Sequence, residues 1–433
     1  MRQVELSLFL IWMLVLGVGS SNLFAQPYAP SGSTKILISV YAQQHPQSLI
    51  LKPQKESFRV FGGGIMLAEL KKNDLLYITS SKGKIRIRTI DRALGTFSRV
   101  LVKPSTDSNM FSLNPANPSL KNLRKYSGNI AFTAKGGGIE SILETDFEQY
   151  IAGVVEAEIG GKQPLEMYKV QAIIARTYAI GHMNKHKGEK FNLCDDVHCQ
   201  AYKGVACSNS EIVKGCEQTR DLVVVNRNNE LITAVFHANC GGQTVNSEDV
   251  WPKYKSYLRS CPCPYCSNSK SYKWRMSVAV SKWDKYLEGN GVTVSPDQLP
   301  KGFEQPRRQS ILEVGNVTFP LYKVRKDLGL RSTFFSYSQF GDSIVFSGKG
   351  FGHGVGLCQD GASSMAQLHM SYQHIISYYY RGCKIIHRQN AIPEKNEDAE
   401  MVDENANTNT LATSKSSFTG GGFFVPDSTL ISP

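Results

Sequence analysis

The chain has 433 residues, a formal net charge of +12 and an isoelectric point near 9.1. Its apolar fraction of 41% is ordinary for a globular protein, so a sizeable core can be buried in one large domain with insertions or in two domains. The positive charge allows an anionic partner, but the sequence has no zinc finger, RNP-like run or interleaved Arg–aromatic motif, so it does not indicate nucleic-acid binding.

Residues 1–25 are predicted to form a signal peptide. Arg2 gives a short positive start, an apolar run follows from Leu6 to Val18, and small residues lead up to Ala25. The run is short for a membrane span, so a retained anchor is the less favoured alternative. No later stretch is apolar enough to cross a membrane. We therefore expect an exported protein, periplasmic or extracellular and associated with the cell wall, whose anionic partner is an acidic wall polymer.

Residues 27–124 are predicted to form a β-rich region. Short runs alternate apolar and polar residues, and Gly and Asn-Pro turns separate them. The alternating runs are Lys35–Tyr41, Ser57–Phe61, Leu75–Thr79, Lys84–Ile90 and Ser98–Val102, and the pattern continues at Gly128–Ala134.

The first predicted helix begins at a Thr-x-x-Glu capping box, Thr145–Glu148, and ends at Gly160-Gly161. Its apolar stripe continues onto Glu158, whereas Glu156 is placed on the polar face with Glu148 and Ala152. The stripe comprises Phe147, Ile151, Val154 and Val155.

A carboxyl on the apolar side of a helix is partly desolvated, which raises its pKa, and the carboxyl end of the helix dipole acts in the same direction. Glu158 therefore has the properties of a general acid that works near neutral pH. The alternative is a buried structural Glu158 that pairs with Arg176 on the next helix.

Pro164 is predicted to open the second helix. Its apolar stripe is Val170, Ile173, Ile174, Thr177 and Ile180. Further along the chain the patterns indicate two strands, more short strands in residues 250–345, a helix and a polar tail at 389–433 that is predicted to be disordered. The two strands and the helix are Leu222–Asn226, Leu231–His237 and Ser363–Tyr380.

The run from Gly352 to Gly356 indicates a tight turn ahead of a helix. Such a turn can bring a ligand close to backbone N–H groups, although a purely structural turn remains open. His353 lies between glycines and is expected to point into a site. The run is neither a Walker loop nor a dinucleotide fingerprint.

Ten cysteines lie between Cys194 and Cys383, and an even count in an exported chain favours disulfides. Cys194, His198 and Cys199, with His186 upstream, could bind Zn²⁺, or Cys194 and Cys199 could form a disulfide. The cluster from Cys261 to Cys266, Cys-Pro-Cys-Pro-Tyr-Cys, could be a metal knuckle, but its prolines and export favour disulfides.

Five segments, in order, resemble motifs of the SpoIID/LytB domain family, and the similarity covers roughly residues 125–388. The segments are Tyr150-Ile-Ala-Gly-Val-Val-Glu-Ala-Glu158, Pro164-Leu-Glu-Met-Tyr-Lys-Val-Gln-Ala-Ile-Ile-Ala-Arg-Thr-Tyr178, Gln200-Ala-Tyr-Lys-Gly204, Phe236-His-Ala-Asn-Cys-Gly-Gly-Gln-Thr244 and Phe346-Ser-Gly-Lys-Gly-Phe-Gly-His-Gly-Val-Gly-Leu-Cys-Gln-Asp-Gly-Ala362. The chain departs from the family pattern at Ile159-Gly160, where Met-Pro is usual, at Ala238, where Ser is usual, and at Asp360, where Trp is usual.

The resemblance implies an α+β fold with a β-rich N-terminal region and a SpoIID-type catalytic domain with inserted strands at 125–388. It implies a peptidoglycan lytic transglycosylase that acts on denuded glycan strands, with Glu158 as the catalytic residue. Some members hold a metal with Cys and His near the Gln-x-Tyr segment, which favours a structural Zn²⁺ at His186, Cys194, His198 and Cys199. The expected saccharide-binding residues are Arg176, Tyr178, Gln200, Tyr202, His237, Gly241, Gly242, His353 and Gln359.

A lytic transglycosylase can work with one carboxylate, because the attacking hydroxyl belongs to the sugar itself. We therefore expect no cofactor for the chemistry. Arg176 is the expected partner of the lactyl carboxylate that a denuded strand exposes, unless it pairs with Glu158. The alternatives are a non-catalytic wall-binding enhancer of a cell-wall amidase and a metal-dependent wall peptidase or amidase.

Overall fold

A computed structural model describes residues 35–106, 109–117, 123–293 and 299–393 of the chain. The predicted signal peptide and residues 394–433 of the predicted tail lie outside the described residues. Within the described part, no helix is both long and apolar enough to span a membrane.

The described residues form seven helices and twenty-three strands. The helices are α1 (Phe147–Ile159), α2 (Leu165–Gly181), α3 (Ser210–Gln218), α4 (Val280–Gly289), α5 (Leu321–Leu328), α6 (Gln359–Gln367) and α7 (Tyr372–Tyr379). The strands are β1 (Lys35–Val40), β2 (Ser48–Pro53), β3 (Phe58–Gly62), β4 (Ile65–Leu70), β5 (Leu76–Ser81), β6 (Lys84–Arg88), β7 (Ala93–Phe97), β8 (Arg99–Pro104), β9 (Met110–Asn117), β10 (Arg124–Ser127), β11 (Asn129–Lys135), β12 (Gly138–Asp146), β13 (Leu193–Cys194), β14 (Leu222–Val225), β15 (Phe236–His237), β16 (Lys273–Ala279), β17 (Gly302–Phe303), β18 (Ile311–Val314), β19 (Val317–Pro320), β20 (Phe335–Phe340), β21 (Ser343–Lys349), β22 (Leu357–Cys358) and β23 (Lys384–His387). The predicted α+β class with a β-rich N-terminal region is confirmed.

Two sheets with a shared hydrophobic core form the N-terminal part of the molecule. Their strand orders are β13-β1-β12-β11-β8-β3-β4 and β10-β9-β2-β5-β6-β7. Each alternating run predicted from the sequence overlaps one of these strands, because alternate side chains face the shared core. β1 pairs with both β12 and β13, so the first sheet joins strands from both sides of residue 125. The domain boundary placed there stays a prediction.

Helix α1 begins one residue later than the predicted capping box implies. The Asp146 carboxylate, rather than Thr145, accepts hydrogen bonds from the backbone N–H groups of Glu148 and Gln149. Thr145 is still within β12, where it pairs with Ile36. The predicted end is confirmed, since the residue after the helix is Gly160 with a φ of 69°.

Helix α2 is buried on most of its surface because it lies between two hydrophobic cores. Ala172 and Ala175 face the core of the two sheets, whereas Val170, Ile173 and Ile174 face a second core that also contains α6 and α7. A third core lies between the sheet of β16, β21, β20 and β17 and the helices α4 and α5. The sequence predicted strands in this third region but neither of its helices.

Two predicted elements differ from the structure. The predicted helix from Ser363 to Tyr380 is two helices, α6 and α7, because the chain turns at His369, whose φ of 61° cannot continue a right-handed helix. The predicted strand Leu231–His237 contributes only β15 and a bridge from Leu231 to Val225.

Helices α6 and α7 contact the loop between α1 and α2 and the first turn of α2. The Ser363 hydroxyl donates a 2.5 Å hydrogen bond to the Gln163 side chain, and the Tyr372 backbone N–H donates to the Glu166 carboxylate at 2.8 Å. The contact between Ser363 and Gln163 closes one side of a cleft that begins at the carboxyl end of α1.

Candidate active site

The last turn of α1 lines a cleft of about 480 Å³. This volume lies within the range of small-molecule sites. Five parts of the chain meet there: α1 with the following loop, the first turn of α2, the loop 203–205, the residue after β15, and the first half of α6. The lining residues are Gly153, Glu156, Ala157, Glu158, Ile159, Gly160, Gln163, Met167, Lys203, Gly204, Val205, Ala238, Gln359, Asp360 and Ser363.

Glu158 is half-buried in this cleft, and its carboxylate accepts a 3.2 Å hydrogen bond from the backbone N–H of Ala201. Burial raises the pKa of the Glu158 carboxyl to about 7, against the opposing effects of the Ala201 N–H and the Lys203 ammonium. The apolar stripe that leads to it is buried, as the sequence predicted. Near neutral pH this carboxyl can therefore both donate and accept a proton.

The segment from Gln200 to Gly204 is held tightly against α1. Gly153 lets it approach, since a Cβ at that position would lie 2.1 Å from the Gly204 carbonyl oxygen. Gly204 has a φ of 112° and a Cβ there would lie 2.1 Å from the Lys125 carbonyl oxygen. This close packing fixes the positions of Ala201 and Lys203 beside Glu158.

Two further carboxylates line the cleft, and each is engaged by neighbouring hydrogen-bond donors. Glu156 accepts from the backbone N–H groups of Cys207 at 2.8 Å and Ser208 at 3.1 Å. Asp360 accepts from the Ser269 hydroxyl at 2.6 Å and from the Asn239 amide at 2.9 Å. Both carboxylates therefore hold the cleft walls in place.

Glu148 and Ala152 were predicted on a polar face, but both are buried. The Glu148 carboxylate receives two charge-assisted hydrogen bonds from Arg176, at 2.9 Å from Nε and 2.7 Å from Nη2. The guanidinium is fully buried and also donates to the Leu222 carbonyl. The alternative prediction that Arg176 pairs with Glu158 is therefore wrong, and the complete burial of the guanidinium against Glu148 does not support its prediction as a saccharide-binding residue.

Three further predicted saccharide-binding residues lie in the protein interior. Tyr202 is fully buried, Gln200 is nearly so and donates to the Tyr150 hydroxyl at 3.3 Å, and Tyr178 stacks on His182 with ring centroids 4.0 Å apart. The Tyr202 ring packs against Tyr150 of α1 with ring centroids 5.0 Å apart, which holds the 200–204 segment on α1, and none of the three residues lines the cleft. The prediction of direct saccharide contact by these side chains is not supported.

The glycine turn around His353 is built into the protein interior. His353 Nε2 lies 2.9 Å from the Phe236 carbonyl oxygen and its Nδ1 accepts from the Val355 N–H. Burial lowers the pKa of His353 to about 3 and holds the pKa of the neighbouring His237 well below its usual value, so both rings are neutral. A Cβ on Gly356 would lie 2.3 Å from the Val235 carbonyl oxygen, which explains the glycine.

Neither His237 nor His353 lines the cleft with Glu158, nor do Gly241 and Gly242. Gln359 does line it, as expected for a saccharide-binding residue.

His186, Cys194, His198 and Cys199 converge, as the sequence predicted. Their donor atoms all lie within 4.8 Å of one another, and His186 Nε2 is 3.3 Å from Cys199 Sγ. The other ring nitrogen of His186 contacts Glu189 at 2.8 Å, the kind of outer carboxylate that orients a metal-binding imidazole. Both cysteines are free thiols, so the alternative Cys194–Cys199 disulfide is not formed.

The disulfides favoured within Cys261–Cys266 are also not formed. Cys263 and Cys266 instead lie beside Cys240 and Cys358, which are distant in sequence. A sequence pattern limited to neighbouring residues could not find this grouping.

The sequence analysis did not identify Lys203, whose positive charge lowers the pKa of Glu158. It also did not identify Gln163 and Ser363, which together form one wall of the cleft. Lys203 is part of the family-like segment Gln200–Gly204, so its position next to the candidate residues Gln200 and Tyr202 could have indicated a place in the site. No sequence pattern indicated Gln163 and Ser363, because only the tertiary fold brings these two residues together.

This chain is 30% identical over 264 residues to stage II sporulation protein D of Bacillus subtilis, a match that covers 57% of this chain and 76% of the relative. The chain belongs to the SpoIID family. The SpoIID family model, described as a stage II sporulation protein, matches residues 135–226, which contain α1 and α2. Membership associates the chain with a cell-wall-related function.

Two other relatives extend this comparison. A protein of Brachyspira hyodysenteriae, named only as uncharacterised, is 29% identical over 268 residues, covering 60% of this chain and 72% of the relative. The amidase enhancer of Bacillus subtilis is 25% identical over 350 residues, covering 62% of this chain and 48% of the relative. This SpoIID-family chain thus resembles proteins with two different named roles.

Proposed function

We propose that the protein is a peptidoglycan lytic transglycosylase that cleaves denuded glycan strands with Glu158. The observation that carries the proposal is the half-buried Glu158 carboxyl at the end of α1, whose pKa is raised by burial to about 7 in a cleft large enough for a saccharide. Such a carboxyl can act first as an acid and then as a base at neutral pH.

In the first step, protonated Glu158 donates its proton to the glycosidic oxygen, and the bond between that oxygen and C1 of the muramic acid breaks. The Glu158 carboxylate then takes the proton of the sugar's own C6 hydroxyl, whose oxygen bonds to C1 and closes a 1,6-anhydro ring. Glu158 regains its proton and no water is consumed. The nucleophile belongs to the substrate, so its high effective concentration replaces a second catalytic carboxylate.

The surroundings of the other two carboxylates support a single-carboxylate reaction. A glycosidase that uses water requires a second carboxylate as base or nucleophile. Glu156 is held by two backbone N–H groups, and Asp360 is held by Ser269 and Asn239. In each of them one carboxylate oxygen accepts two hydrogen bonds from protein donors. Glu158 accepts one, from Ala201, and its pKa is raised by burial to about 7, which makes it the carboxyl best suited to proton transfer near neutral pH.

Lys203 supports the preference for denuded strands. Removal of a stem peptide leaves a lactyl carboxylate on the muramic acid, so a denuded strand is a polyanion. Lys203 is exposed and lines the cleft, and its charge lowers the pKa of Glu158. It therefore takes the role of carboxylate partner first assigned to Arg176. Gln359 lines the opposite side and offers an amide to sugar hydroxyls.

The test is digestion of purified denuded glycan by the wild-type protein, Glu158→Gln and Glu156→Gln, followed by mass spectrometry of the products. We expect 1,6-anhydromuramyl ends from the wild type and from Glu156→Gln, which keeps an acceptor oxygen for Cys207 and Ser208. Glu158→Gln should lose roughly 100- to 10,000-fold of the activity, since it cannot exchange a proton. Products with ordinary reducing ends would contradict the transglycosylase proposal.

The second candidate function is a non-catalytic enhancer of a cell-wall amidase, which is favoured by the similarity to the Bacillus subtilis amidase enhancer. The two functions are separated by adding Glu158→Gln to a purified wall amidase with intact peptidoglycan as substrate. Unchanged stimulation by this variant, together with no glycan cleavage by the wild type, would establish the enhancer role.

The donor set of His186, Cys194, His198 and Cys199 fits a structural Zn²⁺. Two thiols and two imidazoles supply the four ligands of a tetrahedral site, which leaves no coordination position for a substrate. Bound there, the ion would stabilise the fold between β13 and the Gln200 segment and would supply no catalytic chemistry. This set of donors does not support the alternative of a metal-dependent wall peptidase or amidase.

The proposed substrate places the working protein outside the cytoplasm. We infer that residues 1–25 direct export and are then removed. N-terminal sequencing of protein recovered from the cell wall should begin soon after Ala25, whereas an N-terminus at Met1 would contradict this inference.

A further inference from the structure

A second group of four cysteines lies behind the cleft wall that faces Glu158. Cys240 follows β15, Cys263 precedes a short helical turn that ends at Cys266, and Cys358 ends β22. The four Sγ atoms all lie within 4.8 Å of one another, and none of the four residues is exposed to solvent. Three separate chain segments therefore direct their thiols to one buried point.

This geometry matches a tetrahedral thiolate site. Zn–S bonds of about 2.3 Å place the sulfur atoms of such a site roughly 3.8 Å apart. Cys240 Sγ and Cys266 Sγ are 3.5 Å apart, whereas a disulfide bond needs about 2.05 Å. Cys263 and Cys266 also have the Cys-x2-Cys spacing that is frequent in structural zinc sites. The nearby Cys261 is not part of the group, since it contacts the Thr244 hydroxyl.

The groups around the thiols are suited to thiolates. The backbone N–H groups of Cys240 and Gly361 point to Cys358 Sγ at 3.3 and 3.4 Å, and the Tyr379 hydroxyl is 3.2 Å from Cys263 Sγ. A metal with four thiolates carries a net charge of −2, which a nearby cation stabilises. Arg308 supplies one, and its guanidinium is anchored to the Cys240 carbonyl oxygen at 2.6 Å. Outer-shell donors of this kind stabilise bound thiolates.

We propose that Cys240, Cys263, Cys266 and Cys358 bind one divalent metal ion of the zinc class as a closed structural site. The proposal is independent of glycan cleavage. Its structural effect is on the cleft, because Asn239 joins the Cys266 carbonyl to the Asp360 carboxylate, and Ala238, Gln359 and Asp360 line the cleft. The ion thus fixes the wall opposite α1.

The first test is metal stoichiometry. The protein is reduced, incubated with Zn²⁺, freed of unbound metal and analysed by inductively coupled plasma mass spectrometry. We expect two ions per chain in the wild type, one at each cysteine-containing group, and one in Cys263→Ser/Cys266→Ser. The matched control is Cys207→Ser, an exposed cysteine outside both groups, which should keep two. Two ions retained by a folded Cys263→Ser/Cys266→Ser would overturn the proposal.

A second variant covers the case in which Cys263→Ser/Cys266→Ser does not fold. Cys194→Ser/Cys199→Ser disables the other group, so its remaining zinc should show four sulfur ligands at about 2.3 Å by X-ray absorption. Nitrogen or oxygen ligands, or no retained zinc in the folded variant, would exclude the four-cysteine site. Alkylation of non-reduced, chelated and unfolded wild-type protein should label all four cysteines, and disulfide-linked peptides among them would also refute the proposal.

Discussion

Glu156 and Glu158 lie two residues apart on α1, and their carboxylates have different surroundings. Glu156 accepts two backbone hydrogen bonds from Cys207 and Ser208, whereas Glu158 accepts one, from Ala201, and has a pKa of about 7. One carboxylate holds a loop and the other is suited to proton transfer.

The first prediction concerns the pH dependence of glycan cleavage. Because the proposed mechanism uses protonated Glu158 as the acid, kcat/KM should fall about tenfold for each pH unit above about 7. Removing the Lys203 charge should raise the pKa of Glu158, so in Lys203→Met this fall should begin at higher pH. The pH profiles of both proteins are measured on denuded glycan. A descending limb at the same pH in the variant would contradict the proposed electrostatic effect of Lys203.

The second prediction concerns the stability of Glu158→Gln. The folded-state pKa of Glu158 is raised, so the native state is penalised once the unfolded carboxyl ionises, and the penalty grows between about pH 4.5 and 7. Glu158→Gln should therefore unfold at higher urea concentration than the wild type at pH 8. The gain should be roughly 1–3 kcal/mol, since one pKa unit corresponds to about 1.4 kcal/mol and partial exposure reduces the effect.

At pH 4, where both states of the wild type are protonated, the two proteins should differ by much less. A gain in stability of equal size at pH 4 and pH 8 would show that the effect is not due to ionisation of Glu158.

The third prediction is that Arg176 stabilises the fold and does not bind glycan. Arg176→Met leaves the buried Glu148 carboxylate without its partner, which typically costs about 3–5 kcal/mol. Urea unfolding measures the loss. The control is Lys214→Met, which removes an exposed ion pair with Glu211 and should change the free energy of unfolding by less than about 1 kcal/mol. Equal effects of the two changes would be inconsistent with a buried structural pair.

The fourth prediction is that Lys203 contributes to the binding of denuded strands. The binding of denuded glycan is measured in the inactive Glu158→Gln protein. Adding Lys203→Met to this protein should weaken the affinity for denuded glycan several-fold. It should also make binding less dependent on salt, because salt screens exposed charges such as that of Lys203. The matched control is Lys84→Met, an exposed lysine on β6 that does not line the cleft. Strands that keep their stem peptides should bind both variants alike. Equal binding losses for Lys203→Met and Lys84→Met would indicate only a general charge effect.

The fifth prediction tests the contact between α1 and the 200–204 segment. A Cβ at Gly153 would lie 2.1 Å from the Gly204 carbonyl oxygen, so Gly153→Ala must move Ala201 and Lys203 away from Glu158. We expect a loss of about 1–3 kcal/mol in unfolding free energy and a larger proportional loss of activity. Gly181→Ala is the control, since a Cβ there meets no atom within 4 Å. If Gly153→Ala leaves cleavage rates unchanged, the segment does not position the site.

Local patterns were enough to predict β1, β3, β5, β6, β8 and β11 and the place of Glu158 on the apolar stripe of α1, because alternation and helical spacing report on which side chains are buried. They did not single out β2, β4, β7, β9, β10 or β12. Local patterns did not predict the partner of Arg176. That partner, Glu148, is on the neighbouring helix α1, and residue spacing within one helix does not show which residues of two helices meet. His186 and Cys199 were predicted together because they are close in sequence. Cys240 and Cys358 were not, because 118 residues separate them and only β15 and β22 bring them side by side.

The contact between Gln163 and Ser363 joins residues 200 positions apart. A chain that emerges amino end first therefore presents Glu158 long before the opposite wall of its cleft has been made. Contacts between distant residues form late in folding, because the intervening chain must first be ordered. During synthesis, Glu158, the proposed catalytic acid, is therefore present before the cleft that would enclose a substrate. A product that stops before residue 363 would lack that wall and should leave glycan intact.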